Sequence, residues 1–459
     1  MHWPVGRCLR ACLALIFTVE VELTSASVAS KEEMMELTYH TVTLGELTRE
    51  GLARAEINEV GPDGEMRTTV LHVPAGLPGE RVTIAVEPPP TPPKRRKRHW
   101  KPYPRRVAIT EILRPSPLRV QARCPVFGVC GGCQLQHLEY GAQLEWKREV
   151  VRGLLRETGH FDAPPLLDTV PCDEPWHYRN HMRFSVNREG QPGLTARGTR
   201  RVLPLTHCPI AHEYINRALP IFASQVNPRP QILVRCGAAT GQMLIQPRQP
   251  DEVVERLTAE GLEVCAETME ERLRGETFRI RPSSFFQTNT AQAEKMARMV
   301  LEGLFPAGQA DDERSCTVLD AYCGVGTFAL MLARRAGRVI AIEESASSIK
   351  DARWNLREVE NVEILQGKVE DLLPTLAEQL DGLVIDPPRA GCQRPVLEAL
   401  ARNPVKRMVY VSCDPSTLAR DLDILCHEYA TYCLRSVQPL DMFPQTAHVE
   451  SVAILELNA

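Results

Sequence analysis

Two kinds of hydrophobic patterning divide the chain. From Tyr39 to about Pro115, short runs of alternating apolar and polar residues (HTVTLGEL, LARAEINEV, MRTTVLHV, RVTIAVE and RRVAITEIL) are separated by Gly, Pro and Asp, as in PDG at 62–64 and LPGE at 77–80. Alternation with period two predicts half-buried strands, and those breakers predict the turns between them. Five short strands in so brief a stretch fit a small closed barrel of the OB type. Residues 136–160 place apolar positions at helical spacing, and 165–275 returns to short strands (HMRFSVN, QILVRCG, QMLIQP) interrupted by turns, a second β-rich unit.

From about Ser315 the pattern changes to alternating strands and helices. TVLDAYCGVGTFALMLARR reads as strand, glycine loop and helix; RVIAIEES, VEILQG, DGLVIDPPRAG and RMVYVSC read as further strands, and TYCLRSVQPL and HVESVAILEL close the chain. Such alternation predicts a doubly wound α/β sheet, Rossmann-like, with ligand at the carboxyl ends of its strands. The glycine loop holds only Gly324 and Gly326 and does not form G-x-G-x-x-G, and there is no G-x-x-x-x-G-K-[ST] to hold a triphosphate. Glu343 ends the second strand, where a carboxylate can accept both ribose hydroxyls of an adenosine ligand. Together these features favour S-adenosylmethionine over a nucleoside triphosphate.

The stretch Met408–Leu422, MVYVSCDPSTLARDL, predicts a buried strand that ends at Ser412 and a helix capped by Ser416 or Thr417. Cys413 then sits at a strand end beside a helix N-terminus, whose partial positive charge would favour thiolate. Asp386 in Asp386-Pro387-Pro388-Arg389 adds a carboxylate on a stiff turn. In amine-directed methyltransferases an aromatic usually follows D-P-P to stack the target base; Arg389 stands there, which argues against amine methylation.

The loop ARCPVFGVCGGCQLQH sets Cys124, Cys130 and Cys133 among glycines that let backbone wrap a metal centre. A fourth ligand is needed, and Cys208, followed by Pro209, is preferred over Cys172. An iron–sulfur cluster is the first reading, a structural zinc the rival and a metal-free loop the third; the radical-type C-x3-C-x2-C spacing is absent.

Composition changes this picture little. The 459 residues suffice for about three domains. A net charge of −4 leaves any basic surface local, and fifteen cysteines without a small-domain framework suggest a reducing compartment. One local basic surface is evident: residues 94–106 carry eight Lys or Arg and no acid, with Trp100 and Tyr103 interleaved, a composition suited to phosphates and base stacking. At the amino end, Arg7 and Arg10 precede CLALIFTV, loosely like a secretory signal but too short to span a bilayer. The alternative adopted is a non-structural extension ahead of a start at Met34 or Met35.

Several motifs in order, namely C-x5-C-G-G-C, SFFQTN (284–289), DAYCGVGTF (320–328), IDPPRAG (385–391), VSCDPSTLARDL (411–422) and DMFPQTAHVESV (441–452), resemble the RNA (uracil-5-)-methyltransferase family over roughly residues 38–459. The resemblance implies a catalytic Cys413 and a general base at Glu450, with His448 as the rival base. It further implies cofactor contacts at Gln287, Tyr322, Glu343 and Asp386, and a 4Fe-4S cluster on Cys124, Cys130, Cys133 and Cys208. The amino-terminal barrel resembles a TRAM domain, the RNA-binding module of the ribosomal-RNA branch. Asp414 and Gln445 depart from the Asn and His most often found at their positions, and Lys368 replaces an acid or amide, so it is not counted as a cofactor contact. The expected organisation is an extension (1–35), a TRAM or OB-like barrel (36–116), a β-rich iron–sulfur domain (117–280) and a methyltransferase domain (281–459). The expected protein is a cytoplasmic monomer that uses S-adenosylmethionine to methylate carbon 5 of a uridine in structured RNA, 23S ribosomal RNA ahead of transfer RNA, and does not enter a membrane. A non-catalytic RNA-binding protein is the alternative.

Overall fold

The computed structural model describes residues 37–61, 64–88, 105–306, 315–376 and 378–458. The amino-terminal extension and residues 94–104 of the basic segment, with Trp100 and Tyr103, lie outside the described residues. Five strands form first: β1 (Thr38–Thr43), β2 (Ala53–Val60), β3 (Met66–Val73), β4 (Arg81–Val86) and β5 (Val107–Arg114). They pair as an antiparallel β1-β4-β5 sheet and a β2-β3 hairpin. The alternation read from the sequence is realised in β2, where Ala53, Ala55 and Ile57 point inward and their neighbours outward. These residues share one core with Leu71, Val73, Val82, Ile84 and Val86.

The middle of the chain builds a six-stranded sheet from β6 (His181–Val186), β7 (Pro192–Thr195), β8 (Val202–Pro204), β9 (Gln231–Cys236), β10 (Gln242–Gln246) and β11 (Glu263–Cys265), in the order β11-β10-β9-β6-β7-β8. A hairpin of β12 (Met269–Leu273) and β13 (Glu276–Ile280) follows. The strand-rich expectation for this segment was incomplete. Helices Glu213–Ala223 and Asp251–Ala259 cover the sheet, with Ile215, Leu219, Phe222, Val253 and Leu257 in its core.

The last region is a seven-stranded sheet in the order β16-β15-β14-β17-β18-β20-β19, made of β14 (Thr317–Ala321), β15 (Arg338–Glu343), β16 (Val362–Gln366), β17 (Gly382–Ile385), β18 (Arg407–Ser412), β19 (Tyr432–Leu440) and β20 (Glu450–Leu457). Strands β14 to β18 run parallel, and β20 is antiparallel to both of its neighbours, β18 and β19. Val339–Ile342, Leu383–Ile385 and Met408–Val411 are buried without alternation, as expected of strands covered on both faces. One face packs on helices Thr290–Leu304 and Thr327–Ala333. The helix approaches so closely at Gly303 that a Cβ there would lie 2.9 Å from Val409. The other face packs on Arg394–Arg402, Pro415–Asp423 and, from far earlier in the chain, helix Tyr140–Glu157 through Val151 and Leu155. No described helix is long and apolar enough to cross a membrane.

Candidate active site

Strand order reverses between β14 and β17, and the turns that leave those strands open a crevice there. Gln287, Tyr322 and Asp386, three of the four expected cofactor contacts, line one pocket at that point with Phe286, Gly324 and Phe328. Tyr322, the first residue after β14, holds φ at +64°, a left-handed backbone that costs a non-glycine residue about 1 kcal/mol or more. Glu343 reaches the same loop: Oε2 accepts the Gly324 amide at 3.0 Å and Oε1 the Ser345 amide at 2.7 Å. Each oxygen keeps a lone pair for a ligand hydroxyl. Gln287 lies on the Ser284–Asn289 loop. That loop is fixed by Asn180, which donates to the Gln287 carbonyl (3.1 Å), by Arg235, which donates to the Ser284 carbonyl (2.8 Å), and by Asn289, which caps the next helix.

Beside this pocket, Ser412 of β18 pairs with Ser451 of β20. One step outward on each strand sets Cys413 opposite Glu450, so residues 37 positions apart meet at the sheet's carboxyl edge. Asp386 leaves β17 next to Ile385, the partner of Tyr410, and its charge reaches both Cys413 and Glu450.

The electrostatics correct one expectation. Burial first, then the negative charges of Glu450 and Asp386, push the Cys413 thiol up to about 11, and Arg389 pulls only weakly the other way. The helix N-terminus does not produce a thiolate against two carboxylates. The cap also differs from expectation: Asp414, not Ser416 or Thr417, caps helix Pro415–Asp423, accepting the Ser416 amide at 2.9 Å. Burial holds Glu450 well above the carboxylate range, with Asp386 adding to it, and burial raises Asp386 to about 7. Glu450 is 3% exposed, so it is no surface carboxylate. His448 is pushed down by burial and then by Arg389.

Asp320 is a site residue that the sequence reading quoted within a motif but assigned no role. It is fully buried, and neither carboxylate oxygen has a hydrogen-bond partner; the Ala329 amide is close enough only to ease its charge. Burial, Asp386 and Glu343 hold it well above the usual range. An acid inside the apolar run TVLDA was the available signal. Asp320, Glu343 and Asp386 thus gather three acids near the carboxyl ends of β14, β15 and β17.

Cys124, Cys130, Cys133 and Cys208 line a single cavity whose other walls include Phe127, Met182, Leu194 and Ile210. Burial pushes the Cys133 thiol up to about 12, and Cys208, Cys130 and Cys124 each add to it, so the four sulfurs lie within electrostatic range. Cys172 faces elsewhere and donates to the Glu174 carbonyl. No disulfide links the described cysteines, and no group of three or more His, Cys, Asp or Glu among the described residues converges as a single metal ion requires.

The model of the tRNA (uracil-5-)-methyltransferase family matches residues 252–458. A protein of Gloeobacter violaceus described as an uncharacterized RNA methyltransferase is 36% identical over 455 residues, covering 86% of this chain and 94% of its own length. A second uncharacterized RNA methyltransferase, from Thermosynechococcus vestitus, is 32% identical and covers 85% of this chain and 94% of itself. Among solved structures, the Pyrococcus abyssi tRNA (uracil-54, C5)-methyltransferase in complex with S-adenosyl-L-homocysteine superposes with a TM-score of 0.65 at 25% identity, covering 91% of this chain and all of that one. With a Rossmann-like sheet that opens a pocket at its switch point and relatives that match nearly end to end, this chain belongs to the RNA (uracil-5-)-methyltransferase family.

Proposed function

We propose that this enzyme methylates carbon 5 of a uridine in structured RNA through a transient bond between Cys413 and the base, using S-adenosylmethionine bound by Gln287, Tyr322, Glu343 and Asp386. The observation that supports the reading is the position of Cys413 and Glu450 one step beyond the last β18–β20 pair, Ser412 with Ser451, within electrostatic range of each other and next to a pocket that Asp386 lines. Carbon 5 of uracil is too weak a nucleophile to take a methyl group unaided. Cys413 sulfur adds to carbon 6, which loads electron density onto carbon 5. The cofactor, when bound, supplies the electrophilic methyl group on a sulfonium. Glu450 then removes the carbon-5 proton, the electrons restore the 5,6 double bond, and the Cys413 sulfur leaves. The sulfonium charge also suits a site that otherwise holds a thiol and three raised carboxyls, and its arrival favours the ionised forms both steps need. The target uridine must leave its stack to reach a thiol at the foot of this crevice.

Cys124, Cys130, Cys133 and Cys208 fit a 4Fe-4S cluster: four thiols within electrostatic range of one another line one largely apolar cavity. Such a cluster would tie the loop at Cys124–Cys133 to Cys208. The five amino-terminal strands act as a TRAM-like RNA-binding unit, the chain divides as 36–116, 117–280 and 281–459 behind an extension at 1–35, and the protein is a cytoplasmic monomer. Ribosomal RNA, 23S first, is the favoured substrate, because the strand unit and the cysteine loop accompany the catalytic sheet. Transfer RNA is the second reading, favoured by the archaeal enzyme, whose name assigns it tRNA and which this chain covers in full.

The test is a denaturing gel of enzyme, S-adenosylmethionine and RNA carrying 5-fluorouridine, with ribosomal and transfer RNA run side by side. Fluorine cannot leave as a proton, so a Cys413-dependent band is expected, and the pool that yields it names the substrate. No band with either pool, from enzyme that binds cofactor, would refute covalent uracil chemistry.

A further inference from the structure

The loop from Asp441 to Val449 leads directly into Glu450, and several of its polar groups are held by a distant part of the chain. Asp441 Oδ1 accepts from Lys147 at 2.5 Å and Oδ2 from the Tyr140 hydroxyl at 2.8 Å. The Pro444 carbonyl accepts from the Tyr178 hydroxyl at 3.0 Å. The Gln445 carbonyl accepts from the amides of Gln134 and Leu135, both at 3.0 Å, the two residues that follow Cys133. Gln143 pairs reciprocally with Gln445: its Nε2 donates to the Gln445 Oε1 at 3.1 Å, and its Oε1 accepts the Gln445 amide at 3.2 Å. Gln445 itself holds φ at +69°, a left-handed backbone that persists only when its surroundings over-determine it. Here they do. These six clamping residues all lie between 134 and 178, some three hundred positions upstream, and two of them continue the cysteine loop.

We infer that the segment from Gln134 to Tyr178 aims the general base: by fixing the loop at Gln445 it sets where the Glu450 carboxylate lies, and Gln143 and Gln445 are positioning residues for removal of the carbon-5 proton. The inference rests on the reading of Glu450 as the base in covalent uracil chemistry, and it gives the cysteine-bearing region a role in the release step of catalysis. Cys413 is held by β18 and Asp414, outside this clamp. Loosening the clamp therefore leaves addition and methyl transfer intact and slows the step that needs Glu450, so the methylated covalent adduct builds up.

The experiment uses the full chain, S-adenosylmethionine and RNA that the wild type methylates, comparing ordinary uridine with 5-deuterouridine. Gln143→Ala removes both side-chain bonds to Gln445. Tyr178→Phe removes one hydroxyl and keeps the packing, so it decides the matter if Gln143→Ala does not fold. Asn227→Ala, which strips a buried amide of its bonds to the Gly190 and Phe222 carbonyls far from the loop, controls for general destabilisation. Gln143→Ala is expected to lower turnover about tenfold while raising the fraction of RNA in adduct and the deuterium effect on product release. Tyr178→Phe should move both readouts the same way by less, and Asn227→Ala should move neither. If turnover falls in Gln143→Ala and Tyr178→Phe with adduct fraction and isotope effect unchanged, or if both stay at wild-type values throughout, the inference is overturned. Wild-type enzyme run on 5-fluorouridine RNA separates the two levels: no trapped band there refutes the covalent reading itself, whereas a trapped band with unmoved variants refutes only the positioning role.

Discussion

The raised Cys413 thiol makes a prediction that can be worked through from the site. An ordinary cysteine titrates near 9.0, and this one is held at about 11 by burial, Glu450 and Asp386. Two pK units correspond to about 2.7 kcal/mol between thiol and thiolate. At pH 8 the thiolate fraction falls from about one in ten to about one in a thousand, so alkylation should be about a hundredfold slower than for an unperturbed thiol. The assay is alkylation by iodoacetamide across pH, followed by mass spectrometry of the peptide carrying Cys413, with and without bound S-adenosylmethionine. The free enzyme should show a rate midpoint near 11. Glu450→Gln should lower the midpoint only in part, because burial is the larger cause. Bound cofactor brings a positive charge beside Asp386 and should lower it further. A free-enzyme midpoint at or below 9 would refute the account, since it would mean that the helix N-terminus outweighs both carboxylates.

Further outcomes follow from the same geometry. Asp386 has a folded-state value of about 7, above its unfolded one, so the stability it contributes is fully present below about pH 4 and is lost as pH rises toward 7. Urea denaturation of the free enzyme should show a decline of about 2–4 kcal/mol over that window, and Asp386→Asn should flatten it. Lys147 and Asp441 are both fully buried, so Lys147→Met, which leaves Asp441 with only the Tyr140 hydroxyl on its side chain, should cost about 3–5 kcal/mol in the same assay; a cost below about 1 kcal/mol would mean the loop relaxes into water. On the proposed contact of Glu343 with ribose, Glu343→Gln keeps shape but loses charge and should weaken S-adenosylhomocysteine binding by calorimetry roughly tenfold or more. Anaerobically purified protein should carry iron and sulfide in equal amounts, and Cys208→Ala should lose them while Cys172→Ala keeps them.

The sequence by itself determined the local elements and most of the chemistry. Runs such as RVIAIE and MVYVS are apolar without alternation, and that alone marks buried parallel strands, each ending where the pattern breaks at Glu343 or Cys413. The motifs named Gln287, Tyr322, Glu343, Asp386, Cys413 and Glu450, and strand order then gathered them at one edge. What local pattern does not encode is long-range pairing and the field at a buried point. Only the fold decided that Cys413 faces two carboxylates and is therefore a thiol, because a pKa depends on every charge and void nearby and not on neighbours in sequence. Only the fold revealed Asp320 as a buried acid without a hydrogen-bond partner, and only the fold carried Tyr140, Gln143 and Lys147 across some three hundred residues to the loop before Glu450. A polar face on an amphipathic helix reads as solvent-facing until tertiary packing supplies its partners. In helix Tyr140–Glu157 that packing buries Gln143 and Lys147, and their contacts show that the helix belongs to the catalytic sheet as much as to the cysteine loop that precedes it.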